Sequence, residues 1–124
     1  MIVDDEKHLA GIFEKMLGGL GYHVTPFTNS IDALETFRSQ PERFDLILTD
    51  LTMPRMTGVE LARKLMAIRP DIPIIVSTGF MEDATREKVM AIGVREYLMK
   101  PISMREMAET VRRVLDGADE NAKK

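Results

Sequence analysis

Three carboxylates, a hydroxyl and an amine mark out the chemistry open to this chain. Asp4 and Asp5 follow Ile2-Val3, and Asp50 closes the apolar run Phe44-Asp45-Leu46-Ile47-Leu48-Thr49. Thr78 and Lys100 close two more runs, over 73–77 and 95–99. A parallel sheet would gather all of these positions at one edge, outside the carboxyl ends of its strands. Carboxylates brought so close raise one another's pKa unless a cation lies among them. With Asp4, Asp5 and Asp50 ionised and Lys100 protonated the local charge is about −2, which one divalent ion offsets. Ligands that are all oxygen favour Mg²⁺, with Mn²⁺ as the substitute.

A hard cation beside carboxylates is the usual apparatus for handling phosphoryl groups. Asp50 therefore reads as a nucleophile that takes a phosphoryl group as an acyl phosphate, with the metal and Lys100 neutralising charge and Thr78 hydrogen-bonding the product. His8 and His23 fall outside the cluster, leaving no histidine for acid–base work. The expected chemistry is on the protein itself. The chain is accordingly not read as an enzyme, beyond promoting its own phosphorylation and dephosphorylation.

These residues need a scaffold, and the sequence alternates two kinds of segment. Runs over 2–3, 22–27, 44–49, 73–77 and 95–99 are β-branched or aromatic and bounded by turn residues, so they predict strands. Between them lie helical periodicities from Glu6 to Leu20, Ser30 to Gln40, Gly58 to the approach of Pro70, 83–92, and Ser103 to Leu115. Asp5 is expected to cap the first helix, Ser30 the second, and Ser103 with Glu106 the fifth. The fourth is weakly anchored, by Val89, Met90 and Ile92, and is expected to move. Met104 and Met107 read as core filler, while Met81, Met90 and Met99 suit an adaptable surface. This alternation predicts an α/β fold with a parallel sheet covered on both faces. One domain over 1–116 is expected, with 117–124 a polar, structureless tail or linker.

The 124 residues suffice for one core, and a formal charge of −3 lacks the basic field that holds nucleic acid. There is no cysteine, and no apolar stretch approaches the ~20 residues of a membrane span, so a cytoplasmic protein with no membrane insertion is expected.

Taken together, Val3-Asp4-Asp5-Glu6, Asp50-x-x-Met53-Pro54-x-Met56-x-Gly58, Ser77-Thr78-Gly79 and Lys100-Pro101 carry a resemblance. In order and spacing, over essentially the whole chain, the sequence resembles a response-regulator receiver domain of two-component signalling. The resemblance implies a five-stranded sheet of order 2-1-3-4-5 in a flavodoxin-like three-layer sandwich. It implies Asp50 as phosphoacceptor, Asp5 as direct metal ligand, Asp4 as its water-mediated neighbour and the Thr52 carbonyl as a further ligand of Mg²⁺. Thr78 would be the switch hydroxyl, Lys100 the phosphate-pairing lysine, Tyr97 the aromatic that changes rotamer, and Pro101 would follow a cis peptide. The phosphodonor would be a histidine kinase or histidine phosphotransfer protein. An output domain or a homodimer would use the fourth helix, fifth strand and fifth helix.

Two features depart from the pattern. The first strand is short, which predicts reduced stability or an amino-terminal exchange between protomers and suggests a segment of a hybrid sensor kinase or transcription factor. Gly79-Phe80-Met81 and Arg95 alter the output face. The competing readings are an interaction module that uses the fold without phosphorylation, a small flavin carrier and a metal phosphatase. The last two lack, respectively, a flavin-stacking aromatic near the strand ends and the volume for a substrate pocket.

Overall fold

Runs of Ile, Leu and Val bury on both sides only when helices cover both faces of a sheet, and this chain places them accordingly. The computed structural model describes residues 1–122, with side chains through 117. Its elements alternate as β1 (Ile2–Val3), α1 (Lys7–Gly19), β2 (Pro26–Phe27), α2 (Ser30–Ser39), a 3-10 turn (Pro41–Arg43), β3 (Ile47–Asp50), α3 (Gly58–Ile68), β4 (Ile74–Thr78), α4 (Asp83–Ala91), β5 (Glu96–Met99) and α5 (Met104–Ala122). The strands are all parallel, in the order β2-β1-β3-β4-β5.

Strand alternation sorts the core into two halves. Ile2, Leu48, Ile75 and Leu98 face α1 and α5, meeting Phe13, Leu17, Met107 and Val111. Val3, Ile47, Ile74 and Val76 face the other way, against Phe37, Leu61, Leu65 and Val89 of α2, α3 and α4. The register sets Val3 beside Thr49, Asp50 beside Ser77, and Thr78 beside Met99. The residues that leave the strands at Asp4, Asp50, Thr78 and Lys100 therefore emerge along one edge.

Several expectations are corrected. The segment from Gly117 is not structureless, because α5 runs on to Ala122, while residues 123–124 lie outside the described residues. Polarity governs exposure rather than helicity, and Arg112 pairs with Asp116 one turn on, at 3.7 Å. Asp5 does not cap α1, whose N-cap, Glu6, makes no side-chain capping bond. Asn29 rather than Ser30 caps α2, its Oδ1 accepting from the Asp32 amide at 2.8 Å. Met104 is no core residue, being 56% exposed, whereas Met107 is fully buried. Met90 is likewise no anchor of α4, where Val89 alone among the helix residues is buried. β2 contracts to two residues, matching the two that β1 offers for pairing. Among the described residues no helix is long and apolar enough to cross a membrane.

Candidate functional site

Asp50 owes its position to the strand beneath it and to the loop that follows. Ile47 to Asp50 are buried throughout, held between β1 and β4. The chain then turns back sharply enough for the Gly58 amide to donate to the Leu51 carbonyl at 2.8 Å. A Cβ on Gly58 would lie 2.3 Å from the Asp50 carbonyl oxygen, so only glycine lets α3 begin this close to the acidic residue. Met53 anchors the loop in the core and Ser30 Oγ donates to the Met56 carbonyl at 2.8 Å, tying the loop to α2. Arg55 takes a left-handed φ of 69° within the turn, a strained conformation for a residue other than glycine. Thr52 lies exposed in this loop, between the buried Leu51 and Met53.

Carboxylate oxygens of Asp4, Asp5 and Asp50 all come within 4.8 Å of one another. Asp4 is buried and Asp5 exposed, with Asp50 8% exposed. Asp4 Oδ1 accepts from the Glu6 amide at 2.9 Å, leaving its other oxygen, Oδ2, for Lys100 Nζ at 2.9 Å. Lys100 Nζ also lies 3.5 Å from Asp50 Oδ1. Burial raises the Asp50 pKa most; Lys100 opposes it, while Asp4 and Asp5 add to the rise. Burial works the other way on Lys100, but the hydrogen bond and charge of Asp4, with the charge of Asp50, outweigh it and hold the ammonium above its ordinary pKa. One lysine thus leaves Asp50 disfavoured as an anion. An oxygen-rich, under-neutralised cluster of this kind fits a hard divalent cation such as Mg²⁺.

Thr78 ends β4 and is 4% exposed. Its Oγ1 donates to the Phe80 carbonyl at 2.8 Å and accepts from the Phe80 amide at 3.3 Å, so the hydroxyl is engaged with its own loop. Tyr97 lies half-buried against the core beneath α4, and its Oη accepts from Arg86 Nη1 at 2.9 Å. The Lys100–Pro101 bond is cis. His8 and His23 are exposed and do not belong to the acidic group.

The structure thus brings Asp4, Asp5, Asp50 and Lys100 together and leaves Thr78 and Tyr97 with other partners. The sequence reading missed Arg86, whose signal was an acid–base pair three residues apart on α4, Asp83 and Arg86. It also missed the tie from Ser30 to the acidic loop, a contact across 26 residues that no local pattern encodes.

Comparison with known proteins agrees with this geometry. The family model of the response regulator receiver domain matches residues 1–112. The response regulator receiver protein CpdR of Brucella abortus is 36% identical over 118 residues, covering 95% of this chain and 97% of that protein. The transcriptional regulatory protein ZraR of Salmonella typhimurium is 32% identical over 93% of this chain, which corresponds to only 26% of ZraR. Among solved structures, a CheY-like response regulator receiver domain protein from Methanospirillum hungatei JF-1 superposes with a TM-score of 0.91 at 28% identity, covering 97% of this chain and 94% of that one.

Proposed function

This chain belongs to the response regulator receiver domain family, and from that premise we propose that it is a phosphoacceptor switch that takes a phosphoryl group on Asp50. The observation that carries this reading is the meeting of Asp4, Asp5, Asp50 and Lys100 at the carboxyl edge of the sheet. The donor is a phosphohistidine on a histidine kinase or histidine phosphotransfer protein. An Asp50 oxygen attacks phosphorus, an O–P bond forms as the N–P bond breaks, and the departing imidazole takes a proton from solvent. Asp5, Asp50 and the Thr52 carbonyl would hold Mg²⁺ or Mn²⁺, with Asp4 beside them. When bound, the cation supplies positive charge to the transferring phosphoryl oxygens.

The protein's own groups do the rest. Lys100, already 3.5 Å from Asp50, stays protonated and pairs with the added charge. Phosphorylation replaces one negative charge with about two and adds strong acceptors, drawing Thr78 Oγ1 away from Phe80. The loop into α4 then shifts, changing the surface of α4, β5 and α5 that a partner, an output domain or a second copy reads. Phe80, Met90, Met99 and Met104 are exposed at or next to that surface. The domain acts only on itself, and a cysteine-free chain suits a cytoplasmic setting.

The test is mass spectrometry of the protein with acetyl phosphate and Mg²⁺. A gain of one phosphoryl mass, lost in Asp50→Asn, is expected. No gain in the unaltered protein would favour an interaction module that uses this fold without phosphorylation.

A further inference from the structure

Arg86 makes a three-part clamp that the switch reading does not call for. Its Nη2 pairs with Asp83 Oδ1 at 2.7 Å, its Nη1 donates to Tyr97 Oη at 2.9 Å, and its guanidinium carbon lies 5.8 Å from the Tyr97 ring centroid. A planar fork suits that double duty, because one guanidinium can serve a carboxylate and a phenol at once while stacking on the ring. The clamp joins the first turn of α4 to the middle of β5, across a helix with a single buried side chain of its own. Asp83 lies three residues beyond Phe80, the residue that occupies the Thr78 hydroxyl. The two ties are therefore in series: Thr78 to Phe80 at one end of the loop, Asp83 to Arg86 to Tyr97 at the other.

We propose that Arg86 is a positioning residue that fastens Tyr97 and α4 in the unphosphorylated arrangement and so opposes occupation of the Asp50 site. The proposal rests on the switch reading, since it concerns the same site. Drawing Thr78 toward a phosphoryl group releases Phe80 and shifts the loop into α4, and with it the first turn that carries both Asp83 and Arg86, which draws the guanidinium away from the Tyr97 hydroxyl. With the guanidinium withdrawn from its hydroxyl, the Tyr97 ring is free to follow Thr78. By linkage, whatever free energy the clamp contributes to the resting arrangement is subtracted from binding at Asp50. Removing the clamp must then tighten binding by the same factor.

Beryllofluoride with Mg²⁺ serves as the probe, since it binds reversibly as a phosphoryl mimic and gives an equilibrium constant. Arg86→Gln is expected to tighten it by roughly threefold to tenfold. Tyr97→Phe, which removes only the acceptor oxygen, should shift affinity in the same direction, and Arg86→Lys should restore part of the wild-type value. The double variant Arg86→Gln/Tyr97→Phe should gain no more than the stronger single variant, because both act on one contact. The chain has two tyrosines, so with 3-fluorotyrosine incorporated and Tyr22→Phe to assign the signals, the Tyr97 ¹⁹F resonance reports the clamp directly. It should move in Arg86→Gln before any ligand is added. If wild type binds beryllofluoride but Arg86→Gln binds it equally and the resonance stays in place, the clamp is refuted while the switch stands. If wild type neither binds beryllofluoride nor accepts a phosphoryl group, the switch reading fails and the clamp falls with it.

Discussion

Asp50 is asked to be both a buried residue and a charged one, and the conflict is measurable. Burial raises its pKa above the ordinary 3.8, with Asp4 and Asp5 adding to the rise and Lys100 opposing it. A folded-state pKa above the unfolded one means that stability is fully present below the unfolded value and is lost as pH rises through the folded value. At neutral pH the fold therefore carries a penalty for the Asp50 anion. Asp50→Asn should relieve it, raising Tm when divalent cations are absent. The gain should shrink as pH falls toward 4, where the aspartate also becomes neutral; thermal melts of both proteins across that range check the sign. Gly58→Ala makes the opposite case, because the added Cβ meets backbone at 2.3 Å rather than a side chain that can turn aside. We expect a loss of at least ~2 kcal/mol in urea unfolding, with Asp50 misplaced as α3 is pushed outward.

Among the α-helices, α4 is the least secured, with Val89 its one buried side chain. Val89→Ala should accelerate amide exchange across α4 by an order of magnitude or more while leaving α3, with Leu61, Ala62 and Leu65 buried, near its wild-type rate. Hydrogen-exchange mass spectrometry separates the two helices. That weakness was legible in the sequence, because burial of a helix follows from the spacing of its apolar residues. The strand–helix alternation was legible for the same reason. What escaped was set by geometry rather than pattern. Asn29 and Ser30 are both good caps, and only the path of the chain assigns Asn29 to the helix and Ser30 to Met56. Asn29→Ala should accordingly cost about 1 kcal/mol, read from chemical denaturation. The tail from Gly117 was misjudged because polarity was taken as a sign of disorder, whereas these residues extend a helix already nucleated by Met107, Val111 and Val114.

For the whole molecule, the arrangement couples a small ionic site to the stability of the entire sheet. Asp4 and Asp5 lie just beyond β1, and Asp50 ends β3, two strands that pair through only two residues of β1. The sequence revealed which residues would share that edge, since each follows an apolar run. It did not reveal that Lys100 makes its shorter contact with Asp4 rather than with Asp50, a choice made by three-dimensional distance alone. A divalent cation held between the ends of β1 and β3 would neutralise their mutual repulsion and bind only the folded chain. Mass action then requires that Mg²⁺ stabilise the domain, by about 2.7 kcal/mol at a concentration one hundred times its dissociation constant. Tm measured against Mg²⁺ should rise without a plateau until solubility limits it. Asp5→Ala should weaken binding at least tenfold, as seen by calorimetry, and move the whole Tm curve to higher Mg²⁺. Asp5 is exposed and caps no helix, so its loss should leave the metal-free Tm nearly unchanged or slightly raised. A fall in metal-free Tm with an unaltered Mg²⁺ response would instead make Asp5 a structural residue and remove it from the cation site.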